Sequence, residues 1–354
     1  MTSLRPNTVP YAIPMPNNMG IVRYILALAV IIAHFGTFTG TTVWFPVSSY
    51  NAVGGFFALS GFLIYGSYLR RPGDICGYLR RRARRLLPSY WATVLLAALL
   101  LVFVSTLSAP AYFSSSGFWK YLAANLSFLN FLAPDLPGVF ASQPVHAVNG
   151  SLWTMKVEWL LYLSVPLVAL LAGRSLRRSV AVFCTVYLLS SAWRICFLSL
   201  YESTGRHIFE ILSRQFMGQL MYFYAGVLIY YFFDVLMSRR WLVISVCALL
   251  SALSSFIPFY SETLGPLVLA MIVIWFSMTG RWGIWEGRHD NVSYGMYLLH
   301  APIIQTLVSL EIIPLLGIWP SLILSIILSF TVAYIVETTP SHLFKPRHSN
   351  KIIK

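Results

Sequence analysis

Charge is what this sequence has least of. Of its 354 residues only 10% are charged, and just 11 are acidic. A soluble domain carries roughly 25% charged residues, so this chain lacks the polar surface needed to face water on all sides. With 58% hydrophobic residues and a mean hydropathy of +0.72, it suits lipid as its main solvent. No stretch is polar enough to fold as a separate soluble domain. The four cysteines, Cys76, Cys184, Cys196 and Cys247, are scattered without metal-ligand spacing. Three of them lie inside apolar runs, so no metal site is expected and the redox compartment is left open. Internal repeats and low-complexity segments are also missing. Residues 1–18 are polar and Pro-rich, and no small-residue cleavage site follows the first apolar run. A cleaved signal peptide is therefore not expected.

What is present is a basic excess, a formal net charge of +14, and its distribution excludes nucleic acid as the partner. The basic residues cluster in short gaps between apolar runs, the pattern of loops that set topology and meet anionic lipid. A window of about 19 residues picks out ten apolar segments, near 20–37, 52–69, 88–107, 151–172, 179–199, 215–237, 241–259, 264–280, 293–313 and 317–337. The sequence predicts an all-α protein, a polytopic membrane helix bundle of about ten transmembrane helices. A brief apolar stretch from Tyr121 to Leu132 is expected to lie along the interface. With a cytoplasmic N-terminus, the cytoplasmic gaps hold Arg70, Arg71, the run Arg80, Arg81, Arg82, Arg84 and Arg85, then Arg174, Arg177, Arg178, Arg239, Arg240, Arg281 and Arg288. The opposite gaps hold only Lys120, Arg206 and Arg214. That asymmetry predicts cytoplasmic termini at both ends. The expected organisation is a polar tail over 1–19, a transmembrane domain over 20–337 and a basic cytoplasmic tail over 338–354, with Lys345, Arg347, Lys351 and Lys354.

An ionisable side chain in the hydrocarbon costs several kcal/mol, so each one needs a partner or a task. Arg23 and His34 lie eleven positions apart on the first segment. Eleven steps of about 100° return to nearly the same helix face, roughly 16 Å further along. A guanidinium at the cytoplasmic mouth holds phosphate, and an imidazole deeper on that face exchanges a proton near neutral pH. The alternative is a topology anchor and a packed histidine. Glu158, on the fourth segment, is placed at a depth similar to that of His34. It either accepts the imidazole N–H and fixes its tautomer, or pairs with Lys156 or Arg194. The Arg80 to Arg85 cluster serves topology and, beside Arg23, also suits the phosphates of a nucleotide-like donor. Gly54 to Phe62, which includes Ser60, reads as close helix packing. His300 precedes Pro302, which frees a backbone carbonyl, and satisfying that carbonyl is favoured over catalysis for His300. Glu337 completes the set.

These residues come in an ordered series. Arg23 with His34 is followed by Phe56-Phe57-Ala58-Leu59-Ser60-Gly61-Phe62 and by Arg81-Arg82-Ala83-Arg84-Arg85-Leu86-Leu87-Pro88-Ser89-Tyr90-Trp91. Then come Asn149-Gly150-Ser151-Leu152-Trp153-Thr154 with Glu158, Ser293 to Pro302, and Glu337 with Pro340. In this order they resemble the membrane acyltransferase 3 family, in particular the stand-alone O-acetyltransferases of bacterial surface polysaccharide such as O-antigen. The resemblance covers nearly the whole chain. It implies a ten-helix bundle in the bacterial inner membrane, with no bound cofactor. Acyl-CoA, usually acetyl-CoA, is the implied co-substrate, and a lipid-linked or exported carbohydrate the acceptor. It also implies that His34 is catalytic, with Arg23 in the same site. Lys156 and Trp159 depart from the commoner family form around Glu158. The expected catalytic residues are therefore His34, Glu158 and Arg23. Arg23, Arg80, Arg81, Arg82, Arg84 and Arg85 are expected to bind acyl-CoA. Ser60, Lys156, Arg194, Tyr297 and His300 are expected in support. His34 acts either as a base on the sugar hydroxyl or by carrying the acyl group itself. A glycan transporter without acyl transfer is the competing expectation.

Overall fold

The computed structural model describes residues 17–173, 175–279 and 292–343. Among these residues all regular structure is helical. The ten expected apolar segments correspond to ten principal helices: α1 Met19–Thr39, α2 Ser49–Leu69, α3 Ile75–Leu100, α4 Trp153–Ala172 and α5 Leu176–Thr204, then α6 Phe216–Tyr231, α7 Arg240–Ala252, α8 Gly265–Thr279, α9 Ser293–Ser309 and α10 Ile318–Leu343. Six helical stretches are long and apolar enough to cross a bilayer, namely those over α1, α2, α3, α4, α5 and α10. Helices α6 to α9 have 13 to 17 residues. At 1.5 Å per residue they rise about 20–26 Å, against a hydrocarbon core of about 30 Å. The protein is a multi-pass membrane protein with at least these six long apolar helices among the described residues. Arg174, Arg281, Arg288 and the basic residues of the C-terminal tail lie outside the described residues.

Several boundaries differ from the sequence expectation, some of them for a local reason. Helix α3 begins at Ile75, well before the expected 88, because Asp74 caps it: its Oδ1 accepts the Gly77 N–H at 2.9 Å. An aspartate at this position satisfies an orphan donor of the first turn. The arginine cluster therefore lies on a helix rather than in a loop. The segment 241–259 ends as a helix at Ala252 and continues in single 3-10 turns, Ser254–Phe256 and Tyr260–Glu262. Pro258 contributes no N–H there and Phe259 takes a positive φ of 53°. The segment 215–237 breaks at Phe232 into α6 and a short helix, Phe233–Ser238. The stretch Tyr121–Leu132 is helical only to Leu126, as the end of a helix that starts at Ser116.

The chain forms two compact units. The first holds α1 as far as Ala33, α2, the start of α3 to Leu86, and α4 through α8; the second holds α1 from His34, α3 from Leu87, the segment up to Ser151, α9 and α10. At the centre of the first unit stands α6, apolar on every side and buried along nearly its whole length, packed on α2, α5 and α8. Its approach to α2 is a backbone contact. A Cβ on Gly61 would stand 1.9 Å from the Phe223 carbonyl oxygen, and one on Gly226 would stand 2.0 Å from that of Ala58. Small residues at a helix crossing let backbones meet in this way. Gly226→Ala is therefore expected to destabilise the protein by about 1–3 kcal/mol, the usual cost of overpacking. A lowered thermal midpoint in detergent would register this, and an unchanged one would show that α2 and α6 separate freely. In the second unit α9 packs along α10, and the Gly295 N–H near the start of α9 donates to Oε1 of Glu337 at 2.6 Å. A carboxylate at a helix N-terminus satisfies orphan donors and complements the dipole.

Candidate active site

His34 lies five residues before the end of α1, and the group against it is His300 of α9. The two rings stack with centroids 4.9 Å apart and 19° between their planes, and Nδ1 of His34 is 2.7 Å from Nε2 of His300. His300 is fully buried, while His34 is half-buried. The other nitrogen of His300, Nδ1, lies 2.7 Å from the Tyr297 carbonyl oxygen. A carbonyl only accepts, so this Nδ1 carries the hydrogen. In the neutral ring Nε2 is then an acceptor, and Nδ1 of His34 must donate to it. The lone pair of His34 is left on Nε2. Proton positions here follow from the order of the hydrogen bonds.

The loop before α4 is fastened to the same place. Pro302 removes the N–H that would have bonded the Leu298 carbonyl, and Asn149 takes that carbonyl instead through Nδ2 at 2.6 Å. The Asn149 side-chain oxygen accepts the Ser151 N–H at 3.1 Å, and the Ser151 hydroxyl stands 3.4 Å from Nδ1 of His34 and from Nε2 of His300. Gln305, also fully buried, donates to the carbonyls of Ala147 and Val148, and Gln143 donates to the Gln305 carbonyl and the Ser309 hydroxyl. Ordered side-chain networks of this kind hold reacting groups in place. His300 thus plays a part different from the one expected: the carbonyl freed by Pro302 belongs to Asn149, and His300 holds His34. Tyr297 takes part through its backbone.

A second constellation lies in the first unit. Tyr162, one turn beyond Glu158 on α4, donates a hydrogen bond to Oε1 of Glu158. The positive charges acting on that carboxylate are Arg85, Arg23 and Arg82, and Arg85 also acts on Arg23. Tyr78 of α3 donates to the Tyr162 carbonyl at 3.0 Å, fixing α3 on α4. The expectation that Glu158 orients His34 is thereby corrected. The hydrogen bond to Glu158 comes from Tyr162, and that of the His34 N–H goes to His300. Helical periodicity also divides the arginine run. Arg82 and Arg85, three apart, share the Glu158 side of α3. Arg81 turns back to Asp74, Nη1 to Oδ2 at 3.2 Å, and Arg80, Arg84 and Arg85 are exposed. The Gly77 N–H and then Arg81 hold the Asp74 carboxyl below its usual range. Nε of Arg82 is buried without a hydrogen-bond partner.

The other residues expected in support lie elsewhere. Arg194 of α5 pairs with Glu262, Nε to Oε1 at 3.7 Å, and lies over the Tyr50 ring at 4.6 Å. Lys156 and Ser60 are half-buried on α4 and α2. Among the described residues no group of three His, Cys, Asp or Glu side chains is placed to hold a metal ion. Reasoning from sequence did not single out Gln143, Gln305 or Tyr162. Tyr162 was legible in principle as the i+4 neighbour of Glu158, whereas the glutamines meet only through chain reversals.

The described residues thus hold a paired-histidine centre in the second unit and a guanidinium–carboxylate cluster in the first, on an apolar helical frame. The chain belongs to the acyltransferase domain family, whose match runs over residues 17–338. It is 24% identical over 353 residues to an O-acetyl transferase of Shigella phage Sf6, covering 95% of this chain and 98% of that one. It is also 24% identical over 322 residues to Nodulation protein 10 of Rhizobium leguminosarum bv. viciae, with 83% and 84% of the two chains covered. No solved structure matches it.

Proposed function

We propose that this protein transfers an acyl group, acetyl, from cytoplasmic acyl-CoA to a hydroxyl of a bacterial surface or lipid-linked carbohydrate. It does so in the inner membrane, with both termini cytoplasmic. The observation that carries this is the hydrogen-bond chain from the Tyr297 carbonyl through His300 to His34, which leaves the Nε2 lone pair of His34 available. A sugar hydroxyl is far too weak an acid to ionise at neutral pH and needs a base as it attacks. In the proposed step the hydroxyl oxygen bonds to the thioester carbonyl carbon while its proton passes to Nε2 of His34. The tetrahedral intermediate then expels the CoA sulfur, which leaves as the thiol with that proton. The imidazolium formed on the way shares its charge across the bond to His300, as a neutral orienting partner allows.

For the donor, Arg23, Arg82 and Arg85 are the phosphate-binding candidates. All three act electrostatically on the Glu158 carboxylate, and the buried Nε of Arg82 lacks a hydrogen-bond partner. Several guanidiniums acting at one place are suited to a polyphosphate. Helix α1 carries Arg23 and, eleven residues on, His34, a rise of about 16 Å. That is a span an extended thioester arm can follow. The family membership and the phage relative named an O-acetyl transferase support the same reaction.

The test is expression in a host that makes a defined surface glycan, with mild hydrolysis and mass spectrometry of its O-acyl content. Acetyl esters appearing with the protein, together with acetyl-CoA consumption by the purified protein, are the expected result. Glycan movement across the membrane without acetyl-CoA consumption would replace the enzyme by a transporter.

A further inference from the structure

Ser151 stands at the histidine centre but has no part in the step proposed above. The residue is 1% exposed, in the single 3-10 turn Gly150–Leu152 that leads into α4. Its hydroxyl oxygen is 3.4 Å from Nδ1 of His34 and 3.4 Å from Nε2 of His300, and those two nitrogens are 2.7 Å apart. The three atoms form an isosceles triangle, with the hydroxyl to one side of the bond between the rings. The Tyr297 carbonyl fixes the direction of that bond. It takes the hydrogen of His300 Nδ1, so the hydrogen between the rings sits on Nδ1 of His34. A hydroxyl oxygen beside it accepts a share of that hydrogen, as the longer arm of a three-centre bond.

This second arm matters in two ways. A single N–H···N bond lets an imidazole turn about the line of the bond, and its other nitrogen swings with it. An acceptor off that line opposes the turn and keeps the Nε2 lone pair of His34 on one bearing. The same oxygen also serves the charged state. When His34 takes the sugar hydroxyl's proton on Nε2, the Nδ1–H belongs to an imidazolium, and its bond to an oxygen lone pair strengthens as the charge develops.

Asn149 holds Ser151 in place. A carbonyl only accepts, so the side-chain nitrogen of Asn149 faces the Leu298 carbonyl at 2.6 Å and its oxygen faces the Ser151 N–H at 3.1 Å. Leu298 lies two residues before His300 on α9. One carboxamide therefore registers Ser151 against the helix that carries His300.

We infer that Ser151 is a positioning residue of the histidine centre, sharing the Nδ1–H of His34 with His300 and held in register with α9 by Asn149. This rests on the proposed acyl transfer and deepens it, adding a third group to the base.

The test is a double-mutant cycle in the purified full chain, with kcat and the acetyl-CoA KM read from acetyl-CoA consumption in the presence of the glycan. Ser151→Ala should lower kcat about tenfold, the order of one hydrogen bond to a charged group, and leave KM unchanged. Ser151→Thr, which keeps a hydroxyl, should recover part of the loss. In a His34→Ala background the same Ser151→Ala change should cost less than about twofold, since the group it acts through is gone. A residue that only packs the loop would cost the same in both backgrounds. Asn149→Ala should lower kcat in the same His34-dependent way. Parent-like kcat in Ser151→Ala, or an equal loss with and without His34, would overturn the role; parent-like kcat in Asn149→Ala would overturn the part given to Asn149. If Ser151→Ala does not reach the membrane, Ser151→Cys, close in size but a poor acceptor, is read against the same outcomes. A parent protein that consumes no acetyl-CoA would reject acyl transfer and this role with it, whereas an active parent indifferent to Ser151 rejects the role alone.

Discussion

Replacing His34 by alanine is expected to lower the rate of acyl transfer by about 10²–10⁴-fold, the usual worth of a positioned general base. The protein should lose little of its thermal midpoint, because His34 is only half-buried and the Ser151 hydroxyl, 3.4 Å from Nε2 of His300, can take over as donor to it. The loss should fall on kcat rather than on KM for the donor, and the acid limb of the pH–rate profile should disappear with the base that causes it. In the proposed mechanism His300 is a positioning residue, and its variants separate orientation from bulk. His300→Leu removes the acceptor of the His34 Nδ1–H, so the imidazole is free to take the other tautomer or turn away. His300→Gln keeps a side-chain oxygen near that N–H and should recover part of the rate. If His34→Ala retains full activity with membrane levels equal to the parent, His34 is not the base. If His300→Leu is as active as the parent, the histidine pair has only a packing role.

The second large effect is expected at Arg23. Changing it to Gln should raise KM for acyl-CoA by about tenfold to a hundredfold, since a hydrogen bond to a charged group is worth about 1.5–3 kcal/mol. kcat should change much less. Arg82→Gln and Arg85→Gln should act in the same direction, because these two share the side of α3 that bears on Glu158. Arg80→Gln and Arg84→Gln supply the contrast. Both are exposed, as Arg85 is, but of the three only Arg85 is among the charges acting on the Glu158 carboxylate, so the screened surface charges of Arg80 and Arg84 should contribute least. Glu158→Gln removes the one carboxylate that the phosphates would have to compete with, so tighter donor binding is expected, with some loss of stability from the unneutralised arginines. Equal KM shifts across all five arginines would mean that the run acts only through its summed charge. No shift at Arg23 would separate the donor from this cluster.

Much of this was legible in the sequence because hydropathy and helical period are local properties. Each of the ten apolar runs contains a helix of at least 13 residues among the described residues, and the positions of Arg23 and His34 on a single unbroken α1 follow from eleven residues of helix. Pro302 announced a freed carbonyl in α9. Helix ends were less legible where a single side chain decides them. The Asp74 cap extends α3 back over the arginine run, and that extension gives Arg82 and Arg85 one face while sending Arg81 to Asp74.

What the sequence determined by itself was the lipid-suited composition, the helices, and the residue types proposed to carry the chemistry, since each depends on near neighbours along the chain. Only the tertiary structure decided which of those residues meet. His34 and His300 are separated by 266 positions, Asn149 and Leu298 by 149. Glu158 found Tyr162 one turn away, and Arg194 found Glu262 and Tyr50 across helices. In an apolar interior a polar group takes whichever partner the helix packing brings within about 3 Å, and packing between helices is set by shape across the whole unit, which no local period records.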